Sequence, residues 1–550
     1  MKRKLIATAR LCAVTIVTLW LGIKLVPIPK SLSEPPSQSL ELTDRYGVSL
    51  RETRTDEAFF RRVTLREIPS HVIRAVLAAE DKRFYEHHGV DWLAVSRSAR
   101  DAVYHRRVVS GASTITQQLV KIATPRPRNW RTKIIEAMTA IRLEQLWSKD
   151  QIIEEYVNRV DFGNLNVGLG AASEFYFGKS LRDLSDAEAA FLAGLPKNPT
   201  RLNPHRALAA TQARQRTVLR RMRDNGSLGA DKFERALAEQ PRLLSKRRLF
   251  RAPHFVDLLL ECPPKNRRIA TTLDLGLNEF VQRSLRAQLK PLRSLNATNG
   301  AVVVIDNASG DVLALVGSED YFAPGSGQFN GATARRSPGS TVKPFTYLMA
   351  LEEGATPSTI YADIPTEFRT AKGNYRVDNY QRKFSGPVML RSALACSLNI
   401  PAVHALNSVG GPVTLLRRLK DFGFESLDRS PAEYGLGLTL GNAEAPLLEV
   451  TNAYAALARL GEYRPYRLVL NGTTFESKQV ADSRACWLLA DILSDNAARI
   501  PSFGTDSPLR FDFPVACKTG TSTDYRDNWA IAFTPEFTVG VWVGNFDGSP

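Results

Sequence analysis

The stretch Arg335-Arg336-Ser337-Pro338-Gly339-Ser340-Thr341-Val342-Lys343-Pro344-Phe345 decides how the second half of the chain is read. Pro338 and Gly339 mark a turn, and the residues after them read as a buried helix running to Gly354. Ser340 then lies at the helix start, with Lys343 one turn later on the same face. Pro344 is tolerated so early in a helix, where its missing N–H has no partner to lose. A serine hydroxyl at its ordinary pKa is a poor nucleophile. A lysine within reach, kept neutral by desolvation and cationic neighbours, can take its proton. By itself a Ser-x-x-Lys match is a weak signal.

Two further motifs follow it, Ser397-Leu398-Asn399 and Lys518-Thr519-Gly520-Thr521-Ser522. In order and spacing the three motifs resemble those of the penicillin-binding serine enzymes. The resemblance implies that Ser340 attacks an acyl carbonyl, that Lys343 is the base, and that Ser397 relays a proton to the leaving amine. It also implies that Asn399 holds the substrate's peptide group. Lys518 then faces a terminal carboxylate, beside Thr519, and Gly520 lets substrate backbone approach the strand. The N–H groups of Ser340 and Thr521 are the expected oxyanion hole.

A chain of 550 residues is too long for one core, and roughly two to four domains are expected. Hydrophobic content of 43% and charged content of 23% are those of a globular protein. The net charge of +17 points to a polyanionic partner: nucleic acid, anionic lipid or a phosphate-bearing substrate. No zinc-finger spacing, RNA-binding aromatic motif or dense basic run supports nucleic acid. Cys12, Cys262, Cys396, Cys486 and Cys517 are scattered and odd in number, so no disulfide framework is expected. Cys396 and Cys517 directly precede two motifs; they read as small buried apolar residues rather than a pair.

Residues 1–30 carry Lys2, Arg3, Lys4 and Arg10 ahead of the uncharged run Leu11–Ile23. The apolar stretch Leu5–Val26 has nearly the length that spans a bilayer, and a cleavage site of small residues is not evident before Pro27. An uncleaved single-pass anchor is expected, with a cytoplasmic N-terminus and everything after Pro27 outside. Residues 31–39, with Pro35-Pro36, read as a tether.

Residues 40–245 read as a helix-rich block. Pro69-Ser70 starts a helix with Ile73, Val76 and Leu77 on one stripe and Glu80-Asp81 at its end. Thr114, Gln118 and Lys121 share a face of another helix, and Lys133 and Glu136 lie one turn apart on a third. Ser148 with Gln151 and Ser185 with Glu188 make capping boxes for two more. Arg214, Arg216, Arg220, Arg221 and Arg223 read as the solvated face of one amphipathic helix. His87 and His88 lack metal-spaced partners.

The block resembles the peptidoglycan glycosyltransferase family. The resemblance is carried by Glu80-Asp81-x-x-Phe84-x-x-x-x-Gly89, by Gly111-Ala112-Ser113-Thr114-Ile115-Thr116-Gln117-Gln118-Leu119, by Lys133-x-x-Glu136 and by Ile153 through Gly163. It implies a lysozyme-like, mainly α domain in which Glu80 is the general base and Glu136 is also required. Asp81, Phe84, His87, Thr114, Gln118, Lys121 and Lys133 fall at its substrate-binding positions. The chain departs from the family's usual residues at Thr132 and Ile122. Lipid-linked donor sugar leaves as a polyprenyl pyrophosphate, so positive charge must gather at its oxygens, and Lys121, Arg126, Arg128, Arg131 and Lys133 are the nearest supply in sequence. A carboxylate such as Glu80 can strip the proton from the attacking sugar hydroxyl. A divalent cation, magnesium or manganese, would suit the pyrophosphate, although no residue spacing demands one.

Residues 246–297 read as a junction with a helix over Leu277–Leu289. The hairpin Ala301–Ile305 and Val312–Val316 opens the last domain, 298–550, which pairs helices with the antiparallel strands Val515–Thr521, Trp529–Phe533 and Phe537–Gly544. Together the two blocks resemble class A penicillin-binding proteins, most of all the 1C branch. The resemblance implies an enzyme of the bacterial cytoplasmic membrane, with extracytoplasmic domains that polymerise lipid II by inverting transfer and cross-link nascent peptidoglycan through a serine acyl-enzyme. β-Lactams are the implied inhibitors. A D,D-carboxypeptidase and a domain that only binds β-lactam are the alternatives for the second site. Relatives continue past Gly548-Ser549-Pro550, so the last sheet is expected to be incomplete or frayed beside Thr521.

Overall fold

The computed structural model describes residues 22–550 except 37, 56–57, 106–111, 128, 245–248, 263–267, 371–372, 381 and 471–475. The expected membrane anchor lies almost wholly outside the described residues. Among those described, no helix is long and apolar enough to cross a membrane. The chain forms two compact units: the described residues of Met1–Leu40 with Glu52–Arg248, and Glu41–Arg51 with Leu249–Pro550. The segment 41–51, read from sequence as the start of the helical block, thus belongs to the second unit. Its strand Glu41–Thr43 pairs in parallel with Arg268–Ala270, a long-range ladder that local patterning does not announce.

The first unit is helical. At its centre lies Asp186–Gly194, in which every residue from Ala187 onward is buried. A helix apolar on all sides must be wrapped by others, and Ser70–Glu80 and Leu208–Asp224 pack on it. Its one buried carboxylate, Glu188, is satisfied by Lys179 Nζ at 2.7 Å and by the N–H of Ser185, so the expected capping box is formed. The second expected box, Ser148 with Gln151, caps Lys149–Arg159. Phe191, Leu192, Ile152, Ile153 and Tyr156 fill the core around them, each fully buried aliphatic or phenylalanine side chain contributing about 1.5–3 kcal/mol.

The second unit is built on a five-stranded antiparallel sheet. We number its strands β1 (Asn299–Asp306), β2 (Val312–Val316), β3 (Ala516–Thr521), β4 (Asp527–Phe533) and β5 (Phe537–Gly544). Their order across the sheet is β3-β4-β5-β1-β2. The run Ala301–Ile305 is buried on both faces. On one face Val302, Val304 and Val316 pack with Leu285 and Leu289 of the helix Leu275–Leu292. The helix Leu447–Ala458, buried along most of its length, packs on β5 and β1. β3, which carries Thr521, is an edge strand that pairs with β4 alone, so the last strand is not its neighbour. β5 is the middle strand, paired from Phe537 to Gly544 with β1 and from Thr538 to Gly544 with β4. Asn545 then ties the following turn to Asn296 and Thr298 by hydrogen bonds. Sequence order hid this, because the strand written last is inserted between strands far apart in the chain.

Candidate active sites

In the first unit, Glu80 is the last residue of its helix, and its side chain is 12% exposed. Glu80 Oε2 accepts from Gln118 Nε2 at 3.0 Å, and Gln118 Oε1 accepts from the buried Tyr156 hydroxyl at 3.3 Å. Glu80 Oε1 lies 3.7 Å from Arg214 Nη2 and is otherwise buried without a hydrogen bond. The carbonyl of Ala79 accepts from both Arg214 and Arg221. Lys197 stands close by: the charge of Arg214 first, then burial, then Arg221 hold its pKa below the ordinary lysine range. Burial together with the charges of Glu80 and Asp81 pushes the Tyr156 phenol well up, so it stays a donor.

The other expected residues divide between holding the site and facing it. Asp81 Oδ2 accepts from the N–H of Ile115 and lies 3.0 Å from His87 Nε2, which anchors the helix Ile115–Ala123 beside Glu80. Phe84 is buried, with Lys149 Nζ 4.4 Å from its ring centroid. Thr114 caps Ile115–Ala123 and donates to Gly89 O at 2.7 Å, so its hydroxyl holds backbone. Lys133 Nζ bonds Glu136 at 2.7 Å and Ser113 at 3.2 Å, and Glu136 is buried. Lys121, Arg126 and Arg131 are exposed, while Arg128 is outside the described residues. Arg216, Arg220 and Arg223 face solvent as expected, but Arg214 does not. It is buried against Glu80. The available signal was its place on the face of Val218 and Met222, one and two turns on.

In the second unit, the serine motif is a 3-10 turn, Gly339–Val342, continued by the helix Lys343–Glu352. Thr341 Oγ1 donates to Pro338 O, Tyr454 Oη donates to Thr341 O at 2.6 Å, and Ser337 Oγ donates to Gly441 O. Gly339 has φ +54°, and a Cβ there would stand 2.6 Å from Thr521 O and 2.8 Å from Thr521 N. A Cβ on Gly520 would stand 2.3 Å from Pro338 O. The serine turn therefore lies backbone to backbone on β3, which gathers the N–H groups of Ser340 and Thr521 into one neighbourhood. Gly520 is crowded by the chain's own serine turn, a neighbour distant in sequence.

Ser397 sits between the helices Leu390–Ala395 and Asn399–Ser408 with φ +59°, a strained conformation for a residue with a Cβ. That strain aims it at both lysines. Lys343 Nζ donates to Ser397 O and to Asn399 Oδ1, each at 2.6 Å, and lies 3.4 Å from Ser397 Oγ. Lys518 Nζ donates to Ser397 Oγ at 2.7 Å and to Thr519 O at 2.8 Å. Lys343 is wholly buried, and burial, with the charge of Lys518 added, holds its pKa well below the lysine range. Burial pushes Lys518 down to about 7, with the Cys517 thiol opposing and the Arg499 guanidinium assisting. Cys396 and Cys517 are buried free thiols: Cys396 Sγ donates to Ala498 O, and Arg499 donates to Cys517 Sγ. Arg499 and Tyr454 carry no motif, and nothing local in the sequence marked them.

A serine turn on an antiparallel sheet, flanked by two depressed lysines, defines the penicillin-binding class of transpeptidase domain; the helical unit around Glu80 is of the transglycosylase class. Comparison with known proteins agrees. Residues 47–223 match the transglycosylase family, and residues 300–547 match the penicillin binding protein transpeptidase domain. The chain is 36% identical to penicillin-binding protein 1C of Escherichia coli over 89% of its own length and 62% of that protein's. It is 33% identical to penicillin-binding protein 2D of Bacillus subtilis, covering 94% and 77% of the two chains. It is 31% identical to penicillin-binding protein 1A of Aquifex aeolicus, covering 96% and 86%. The crystal structure of penicillin-binding protein 1A from Haemophilus influenzae shares the fold, with a TM-score of 0.60 at 19% identity over 94% of this chain and 89% of that one. The chain belongs to the class A penicillin-binding protein family.

Proposed function

We propose that the chain is a bifunctional peptidoglycan synthase that polymerises lipid II and cross-links the stem peptides. The observation that carries the second activity is the environment of Lys343. A neutral amine has two protons and one lone pair. Acceptors at 2.6 Å on Ser397 O and Asn399 Oδ1 take both protons. The lone pair is left for the proton of Ser340, which then attacks the acyl carbonyl of a D-alanyl peptide. The developing oxyanion is met by the N–H groups of Ser340 and Thr521. The bond to the terminal D-alanine breaks, and its amine takes the proton that Lys343 received, relayed through Ser397 Oγ 3.4 Å away. A neighbouring stem-peptide amine then attacks the acyl-enzyme, the Ser340 ester bond breaks, and the proton the amine loses returns to the Ser340 oxygen.

At the first site Glu80 takes the proton of the attacking sugar hydroxyl, oriented by Gln118 and Tyr156. The polyprenyl pyrophosphate leaves from the opposite side, so the anomeric centre inverts. Lys133, paired with Glu136, and the exposed Lys121, Arg126 and Arg131 meet its charge. Among the described residues no group of three His, Cys, Asp or Glu side chains sits close enough together to hold a metal ion.

A membrane seat for the first unit is supported by Trp92, Leu93, Trp130, Ile134 and Ile135, large apolar side chains that stay exposed on its helices. The reading places the protein on the bacterial cytoplasmic membrane with both units outside. Incubation of the purified protein with lipid II tests it. Glycan strands and peptide cross-links, each lost in its own variant, are expected. Polymer with only trimmed peptides would turn the second activity into a D,D-carboxypeptidase.

A further inference from the structure

Asn399 owes its position to residues outside the three motifs. Its backbone N–H donates to Asn379 Oδ1 at 2.9 Å, and its side-chain Nδ2 donates to Asp378 O at 2.8 Å. Asn379 is 5% exposed, and its Nδ2 donates to Asp363 Oδ1 at 2.6 Å and to Lys383 O at 2.9 Å. Asp363 is wholly buried, and its other oxygen accepts from the N–H of Ser385 at 2.8 Å.

The chemistry of these partners leaves each amide one orientation. Asn379 Oδ1 faces an N–H, while its Nδ2 faces a carboxylate and a carbonyl. Asn399 Nδ2 faces a carbonyl, while its Oδ1 faces Lys343 Nζ. A directed chain thus runs from Asp363 through Asn379 and Asn399 to Lys343. Among the described residues no cation pairs with Asp363, whose carboxylate is held by neutral donors. Burying such a group is costly, and an aliphatic side chain would fill the space without that cost. What the carboxylate adds is direction.

We propose that Asn379, oriented by Asp363, is a positioning residue for acylation: it sets the start of the helix Asn399–Ser408 so that Asn399 Oδ1 meets Lys343 Nζ. The inference rests on the reading of Ser340 as nucleophile and Lys343 as base. Without Asn379 the Asn399 N–H loses its acceptor, and the first turn of the helix that carries Asn399 to Lys343 is free to shift.

The test is time-resolved acylation of the full chain by a fluorescent penicillin over a range of concentrations, which separates the maximal rate from half-saturation. Asn379→Leu is expected to lower the maximal rate about 10²-fold, the cost of a misplacement of about 1 Å, with half-saturation moved by less than about threefold. Asn379→Asp sets two carboxylates face to face and is expected to lose at least as much. Adding Asp363→Asn to Asn379→Asp exchanges the amide and the carboxylate while the Asn399 N–H keeps an acceptor. That pair is expected to recover at least about tenfold over Asn379→Asp alone, the coupling of two groups in contact. If Asn379→Leu fails to fold, the exchanged pair decides. The inference is overturned by a wild-type maximal rate in Asn379→Leu, by a loss confined to half-saturation, or by an exchanged pair no faster than Asn379→Asp. Absence of a Ser340 adduct in the unaltered chain overturns the acylation reading, and this inference with it.

Discussion

The hydroxyl of Ser397 accepts a hydrogen bond from Lys518 Nζ at 2.7 Å, although the two residues lie 121 positions apart. A helix junction strained to φ +59° delivers the serine, and β3 delivers the lysine. Lys343 approaches the same oxygen at 3.4 Å. One hydroxyl thus links two buried amines that cannot comfortably both be charged.

Replacing Ser397 by Ala removes that link while leaving both lysines in place. Acylation of Ser340 by penicillin is expected to slow by about 10²–10⁴-fold, the range for loss of a proton-transfer group. Stopped-flow or gel-based labelling measures it. A rate within a factor of about three of the unaltered chain would remove Ser397 from the proton path.

The pH profile should follow Lys518. Its pKa is lowered to about 7, so it is an ammonium below that pH and a neutral amine above it. An anionic β-lactam needs the ammonium, so in the free protein the second-order acylation rate is expected to fall as pH rises through about 7. Lys518→Arg keeps its charge throughout. Its profile, at whatever reduced rate, should lack that fall, and a fall of the same midpoint would assign the limb to another group.

Glu80→Gln keeps the shape of the side chain and an oxygen for Gln118 but removes the proposed base. Glycan polymerisation is expected to drop by about 10²–10⁴-fold. Penicillin labelling of Ser340 should persist, because that site belongs to the other compact unit. Parallel polymerisation and labelling assays on one preparation check both halves of the expectation.

Arg214→Met tests the residue that the linear pattern misassigned. It withdraws the guanidinium from Glu80 and one donor from Ala79 O. Leaving buried polar groups without it should cost about 1–3 kcal/mol in stability. Denaturant unfolding followed by a probe in the first unit reads this cost. Polymerisation is expected to fall even at temperatures where the variant stays folded.

Gly520→Ala would place a Cβ 2.3 Å from Pro338 O, a backbone atom that cannot swing aside. The serine turn must then lift from β3. Acylation is expected to fall by about 10²-fold or more, as for a displaced oxyanion donor. An unchanged rate would show that the turn and the strand tolerate separation.

Much of this was legible in the linear chain because it depends on near neighbours. Capping boxes at Ser148 and Ser185, the turn at Pro338-Gly339 and the alternating strands after Val515 are set by residues within a few positions of each other. The candidate residues Glu80, Ser340, Lys343, Ser397 and Lys518 were legible because each sits in a short motif and the motifs follow one another in a set order along the chain. By contrast, the burial of Arg214, the buried bond between Asp363 and Asn379, and the central place of β5 each join segments distant in sequence.

The sequence by itself therefore determined the two-domain fold, the family and the candidate side chains for its chemistry. Only the tertiary structure decided which of the chain's many charges are desolvated. A lysine or arginine reads the same in sequence whether it lies in water or in a core. It is burial, set by packing across the whole unit, that lowers Lys343 and Lys518 and places Arg214 against Glu80.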